Sequence, residues 1–360
     1  MTTILILGGY GATGRLLARH LLAETKYQIV IAGRHLDKAR AFADSLRDTR
    51  VTARQADAAD LDSLKSALHH VDLILVAAPT TRHSGNVLRA AIDAGADYLD
   101  VQYSDVKLEA LRRHEAEIRE RNLCFVTEAG YHPGLPSAMI RYAASKLDSI
   151  ESAQVAGYLN MGNLQYTEAV DELMEGFIHY QAQVYKNGAW TSPGSWEMRK
   201  FDFGDDIGTR MCYSMFFEEL RGIPEMYPTL KEAGFYISGS NFLADVVVTP
   251  IVMLGLKLAR KRGIRPLGKL MWWAMSKSRP PYRVALRVEA AGQWRGELAK
   301  VAVRIEHEDG YELTAIPVVA FLSQYDSIRK PGLHMMGHLA ETERLFKDMA
   351  MMGAKISSTF

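Results

Sequence analysis

Residues 4–22 read ILILGGYGATGRLLARHLL: an apolar run, a glycine-rich turn and an amphipathic run. An uninterrupted apolar run suits a strand covered on both faces. Gly9, Gly11 and Gly14 match G-x-G-x-x-G, set between strand and helix as a dinucleotide-binding turn requires. Gly9 would permit the tight turn and Gly11 a close approach of backbone to pyrophosphate. Gly14 would let helix pack tightly on strand. The helix N-terminus then offers N–H groups and a positive dipole end to phosphate. Gly8 stands immediately before the motif, and Tyr10, Ala12 and Thr13 fill its x positions.

Outward from the turn, apolar runs at residues 3–8, 28–33, 50–55, 72–78, 97–102 and 123–128 alternate with helical patterns near 13–24, 37–47, 61–69, 84–94 and 105–121. That alternation predicts a parallel sheet covered on both faces, a doubly wound Rossmann domain over residues 1–133. The second strand ends Ala32-Gly33-Arg34-His35, with no acid to accept from a ribose 2′-hydroxyl. Arg34 can instead fork onto a 2′-phosphate, which favours NADP(H) over the reading in which Asp37 holds the ribose. Asp57 follows the third strand, placed either to accept from the adenine amino group or to cap the next helix. Ala77-Ala78-Pro79 ends the fourth strand with small side chains, either leaving room for a nicotinamide ribose or making a plain strand-to-loop break.

Beyond Pro133 the rhythm changes. A helix is expected at 136–147, and residues 283–291 and 298–307 alternate polar and apolar as an antiparallel pair with one covered face. The reading is α/β overall: a Rossmann sheet, a second α+β domain at 134–322, then a C-terminal segment, 323–360, returning to the first domain. A helix is expected at 338–353, with Gly353 placed for its C-cap.

The totals are those of an ordinary globular enzyme: 360 residues, 48% hydrophobic, 24% charged, net charge +1. A near-neutral chain is not marked as a nucleic-acid binder. Cys124 and Cys212 fit no zinc spacing and no disulfide framework, and no signal peptide is read at Met1-Thr2-Thr3, so a reducing cytoplasm is the expected compartment. No metal motif occurs; Asp202, Asp205 and Asp206 form the densest acidic group and read as solvated loop charges. The stretch around Ser240 lacks the final glycine of a nucleophile elbow. Residues 246–288 carry ten Lys or Arg and no acid, and their leading apolar run falls short of the roughly twenty residues a bilayer span needs. Two readings stand: a segment lying on an anionic membrane with Trp272 and Trp273 at the interface, or buried structure at a homodimer interface. The second is favoured.

Taken in order, GGYGATG, AGR, VDLILVAAP, AAIDAGADYLDV and EAGYHPGLPS resemble the NADP-binding domain of the saccharopine dehydrogenase-like family. The resemblance is specific over residues 3–140, thin in the middle, and recognisable again over 310–355 in DGYELTAIPVV and KPGLHMMGHLAETERLFKDMAMMGAKIS. It implies a Rossmann domain, an inserted α+β domain and a C-terminal return, and reduction of a C=N or C=O bond of a small, amino-acid-derived substrate by NADPH. It implies that Gly8 to Gly14 hold pyrophosphate and Arg34 the 2′-phosphate, with Asp57 by adenine and Ala78 and Pro79 on the nicotinamide side. Asp100 and the His132-Pro133-Gly134 turn would sit at the domain junction, where the candidate acid/base residues are Asp100, Tyr103, Tyr131 and His132. Structural readings stand beside them: Asp100 as an acceptor for backbone N–H groups, Tyr131 as packing and His132 as a satisfied loop histidine. Arg82 and Arg210 are candidate partners for a substrate carboxylate.

Two rival functions are carried. One is a sensor or scaffold that binds NADP without turnover. The other is a short-chain-type dehydrogenase, suggested by Tyr142 and Lys146 at Y-x-x-x-K spacing; position 129 is alanine, not the serine that chemistry also needs.

Overall fold

The computed structural model describes residues 2–162, 166, 168–178, 180–193, 197–204, 207–239 and 241–360. Asp205, Asp206 and Ser240, named above, lie outside the described residues. The chain divides into two compact units, Met1–Tyr131 with Thr314–Met352, and His132–Leu313 with Gly353–Phe360.

In the first unit, strands β1 (Thr3–Leu7), β2 (Gln28–Gly33), β3 (Val51–Gln55), β4 (Leu73–Val76), β5 (Asp97–Asp100) and β6 (Cys124–Thr127) are joined by helices. These helices are α1 (Ala12–Glu24), α2 (Leu36–Leu46), α3 (Leu61–Ala67), α4 (Ser84–Ala94), α5 (Asp105–Arg113) and α6 (Glu115–Glu120). The parallel order β3-β2-β1-β4-β5-β6 is that of a doubly wound dinucleotide-binding sheet, with its switch point between β1 and β4. Ile4, Leu5, Ile6 and Leu73 to Val76 are buried because helices cover both faces of the sheet. The single helix expected at 105–121 is two helices that meet at His114.

A seventh strand, Gly332–Met335, adds parallel to β6 and was not anticipated. Asp97 anchors this returning segment. Its carboxylate accepts from Tyr325 Oη at 2.8 Å and Arg329 Nε at 2.6 Å, and also from the Cys124 amide at 2.8 Å. Burial together with the Asp97 charge raises the Tyr325 hydroxyl far above its ordinary range, so it stays a donor.

In the second unit a mixed sheet runs Met198–Asp202, Thr209–Met215, Glu232–Ser238, Ser149–Asn160, Arg283–Trp294, Glu297–His307 and Lys355–Thr359. The pair Arg283–Trp294 and Glu297–His307 is antiparallel, with Val284, Leu286, Val288, Val303 and Ile305 on the buried face. Helix α7 (Leu135–Ala144) packs on this sheet. The sequence reading placed all of 323–360 with the nucleotide-binding domain. The last strand instead pairs antiparallel with Glu297–His307, Ile356 opposite Ile305, so the final residues add an edge to the second unit. The C-terminal helix is Thr342–Met351, shorter than the periodicity implied, and Gly353 beyond it holds a positive φ of 104°.

Fold class follows: a parallel Rossmann sheet with an α+β unit inserted in the chain before the return to the first.

Candidate functional site

The glycine turn is built from backbone. Gly8 sits at φ +85°, donates to Ala32 O at 2.9 Å, and its own carbonyl accepts from Gly11 N at 2.9 Å. A Cβ at Gly8 would stand 2.7 Å from that of Ala78, so the turn lies directly on the end of β4. A Cβ at Gly14 would overlap the Gly8 carbonyl oxygen and stand 2.7 Å from Gly9 Cα. Gly11 is the N-cap of α1, which has no side-chain cap and no acid in its first turn. Its first N–H groups therefore have no capping side chain and its dipole no acid in the first turn.

Tyr10 lies across Gly33, where a Cβ would meet its ring at 2.6 Å, and its hydroxyl accepts from His35 N at 3.2 Å. The x position of the motif therefore buttresses the end of β2, a role the motif alone does not announce. Arg15 Nε donates to Tyr10 O at 2.8 Å, and its guanidinium covers the Phe42 ring at 4.4 Å. Arg34 is exposed at the end of β2, and its carbonyl accepts from Gln55 Nε2 at 3.2 Å. Asp57 is half-buried; its carboxylate accepts from Ala59 N at 3.0 Å, and its amide donates to Ser63 Oγ at 3.1 Å. Asp60, not Asp57, caps α3. Thr80 and Gln102 join the loops after β4 and β5 at 3.1 Å.

Asp100 is fully buried at the end of β5 and forms an ion pair with Lys107, itself only 1% exposed. The carboxylate also accepts from Gln102 N at 3.1 Å and Thr127 Oγ1 at 3.0 Å. Lys107 Nζ donates in addition to Gln102 O at 2.5 Å. The Asp100 carboxylate thus knots the loop carrying Tyr103, which is half-buried. Lys107 was not foreseen; it stands in the first turns of an amphipathic helix, where lysine ordinarily faces water.

His132 belongs to the second unit. Its ring stacks on Phe217, with centroids 5.9 Å apart and planes within 10°, and meets Phe235 edge-on. Burial lowers its pKa to about 4, so the imidazole is neutral near pH 7.

Glu219, absent from the sequence reading, is 0% exposed and caps α7 from a distance in sequence. It accepts from Gly134 N at 2.7 Å and Ser137 N at 3.0 Å, and from the Ser137 hydroxyl. Pro136, with no N–H, removes one donor from that first turn. Burial pushes the Glu219 pKa up to about 7 despite these donors.

A pH prediction follows from the pair. Glu219 rises from 4.5 to about 7 on folding, so its contribution is complete below pH 4.5 and is lost as pH climbs through 7. His132 falls from 6.5 to about 4, so its contribution is present above pH 6.5 and lost as pH falls through 4. The two slopes oppose each other in the mildly acidic range. Glu219→Gln removes one of them: between pH 4.5 and 8 its unfolding free energy should gain about 3 kcal/mol on the native protein. Denaturant melts across that range test this; a constant difference would show that Glu219 titrates normally.

The second unit also holds a cavity of about 300 Å³, lined by Tyr158, Asn160, Arg210, Asn241, Lys277 and Arg279 among others. Asn160 Nδ2 donates to Arg279 O at 3.0 Å and Pro281 O at 2.9 Å, and its Oδ1 is buried without a partner among the described residues. The Arg210 guanidinium lies 5.4 Å from the Tyr158 ring centroid. The acid beside it, Asp245, has its pKa raised to about 6 by burial. Of the two arginines proposed for a carboxylate, Arg210 lines this cavity, whereas Arg82 is exposed in the turn Thr81–His83 of the first unit. Lys146 Nζ covers the Tyr142 ring at 4.5 Å, a cation–π contact between two half-buried side chains at the C-terminal end of α7. Among the described residues no cluster of His, Cys, Asp and Glu could hold a metal ion.

Residues 4–126 match the family model of the saccharopine dehydrogenase NADP binding domain. Carboxyaminopropylagmatine dehydrogenase of Synechocystis sp. is 24% identical over 253 residues, which span 67% of this chain and only 63% of that relative. The apo saccharopine dehydrogenase (L-Glu forming) of Saccharomyces cerevisiae is 15% identical, with 100% of both chains covered and a TM-score of 0.69. Over residues 4–126 the chain is homologous to saccharopine dehydrogenase NADP-binding domains, and along its length it has the saccharopine dehydrogenase fold.

Proposed function

We propose that the protein is an NADP(H)-dependent oxidoreductase that reduces a C=N or C=O bond of a small substrate bearing a carboxylate. The observation that carries this is the glycine turn: it has no room for a Cβ at Gly14, and the adjoining strand ends in Arg34 instead of an acid. Gly8 to Gly14 would hold the pyrophosphate and Arg34 the 2′-phosphate; Asp57 would lie by adenine, and Ala78 and Pro79 by the nicotinamide. NADPH, when bound, supplies the hydride.

The chain's own residues supply binding and proton handling. Arg210, Lys277 and Arg279 are among the residues lining the cavity and would supply cations for a carboxylate. Carboxyaminopropylagmatine, which names the curated relative, carries carboxyl and amino groups, in keeping with an amino-acid-derived substrate. Asp100, Tyr103 and His132 are the candidate proton-transfer residues. His132, its pKa lowered by burial to about 4, is a weak proton acceptor near pH 7 and the least suited of the three. Asp100, held by Lys107, suits ordering the Tyr103 loop.

Titration with NADPH and with NADH tests the cofactor, and tighter binding of NADH would overturn it. Arg34→Ala should weaken NADPH about tenfold to a hundredfold while leaving NADH unchanged, the worth of a lost charge-assisted hydrogen bond. A second reading, nucleotide binding without turnover, draws on the complete engagement of Asp100 by its neighbours. Oxidation of bound NADPH on adding pairs of amino acids and aldehydes separates the two.

A further inference from the structure

The basic segment after Asp245 is neither wholly buried nor uniformly wet. The π-helical turn Leu243–Val248 leads into the helix Thr249–Ala259, and after a short turn the helix Ile264–Met275 follows. One face of the first helix is core: Val252 and Leu256, with Val248 from the preceding turn, pack with Met174, Ile264 and Ala274. The opposite face is apolar too. Ile251, Leu254 and Leu258, at spacings of three and four, form one stripe and are 51%, 60% and 77% exposed. Val247 extends the stripe at one end, and Phe242, at 73%, is exposed nearby in sequence.

Cations cluster where the stripe ends. Lys257, Arg260, Lys261, Arg262 and Arg265 are all exposed, and no acid occurs between residues 246 and 288. No ion pair engages Lys257, Arg260, Lys261 or Arg262 among the described residues. On the second helix, half-exposed Trp273 lies under the Lys277 ammonium at 5.4 Å, an aromatic–cation pairing of the kind that suits a lipid headgroup layer. Among the described residues no helix is long and apolar enough to cross a membrane.

We propose that this helix pair docks on an anionic lipid surface, with the Ile251-Leu254-Leu258 stripe entering the headgroup boundary and the basic cluster meeting lipid phosphates. Charge complementarity selects the occupant. A two-fold interface between copies must be self-complementary, and a helix pair carrying Lys257, Arg260, Lys261, Arg262, Arg265 and Lys269 with no acid would set like charges against one another. A nucleic acid would use the cations but leave the apolar stripe in water. An anionic bilayer satisfies both, each basic residue adding to the attraction near the surface.

The test is co-sedimentation of the full chain with vesicles of phosphatidylcholine alone and of phosphatidylcholine mixed with phosphatidylserine. Binding is expected to the mixed vesicles and not to the neutral ones, and to fall as salt is raised. Leu254→Glu with Leu258→Glu, and separately Lys257→Glu with Lys261→Glu and Arg262→Glu, should each weaken it about tenfold or more. Because these side chains are exposed, both variants should keep the native circular dichroism and melting temperature. Failure of the native chain to bind mixed vesicles, or unchanged binding by both variants, overturns the proposal. So does a native dimer in sedimentation velocity that the double glutamate variant disperses, which would make the stripe a contact between copies.

Discussion

Gly14→Ala is expected to weaken NADPH binding by at least about a hundredfold. The new Cβ would overlap the Gly8 carbonyl oxygen and crowd Gly9 Cα, and both obstacles are backbone. No rotamer change relieves that overlap, so the start of α1 must move away from β1. Overpacking of this kind costs about 1–3 kcal/mol of stability. The larger loss is in binding, because the N–H groups of the first turn move with the helix and each charge-assisted hydrogen bond is worth about 1.5–3 kcal/mol. Gly85→Ala is the control. Gly85 lies in α4 with nothing within 4 Å of a built Cβ, so alanine there should be neutral or stabilise by up to about 1 kcal/mol. Fluorescence titration of both variants with NADPH decides the matter; native affinity in Gly14→Ala would remove the turn from the nucleotide site.

Lys107→Met should destabilise the first unit by about 3–5 kcal/mol, because it leaves the Asp100 carboxylate buried without its counter-ion. Gln102 N and Thr127 Oγ1 would still donate to it, but neither carries charge. Adding Asp100→Asn should recover most of the loss, since a neutral amide needs no cation. Urea unfolding of the single and double variants gives the coupling directly. A single variant within about 1 kcal/mol of native would mean the pair contributes little. In the double variant the pH profile of turnover adds a functional readout: unchanged limbs would exclude Asp100 as the titrating acid/base and leave it as the residue that positions the Tyr103 loop.

Much of the first unit was legible from residues 3–128 because its signals are local. Strand burial shows as continuous apolar runs, helix faces show as periodicity, and the turn shows as glycines whose missing Cβ atoms are needed by backbone within a few residues. Arg34 was visible for the same reason, as the residue ending a recognisable strand. The strand Gly332–Met335 was not, being four residues long and too short to display a period. The division at His114 was hidden because helical periodicity continues through it.

What sequence alone determined about this protein is therefore the parallel Rossmann sheet, the glycine turn between its first strand and helix, and the basic, acid-free character of residues 246–288. Tertiary structure alone decided which polar groups meet. Asp97 holds Tyr325 and Arg329 from more than two hundred positions away, and Glu219 reaches Gly134 across 85. It also decided that Lys107 is buried on Asp100, and that the stripe through Leu254 faces outward while Leu256 is core. The physical reason is one of range. Backbone sterics and periodicity act over a few residues and leave a trace in the chain, whereas burial and ion pairing depend on which distant segment supplies the other side.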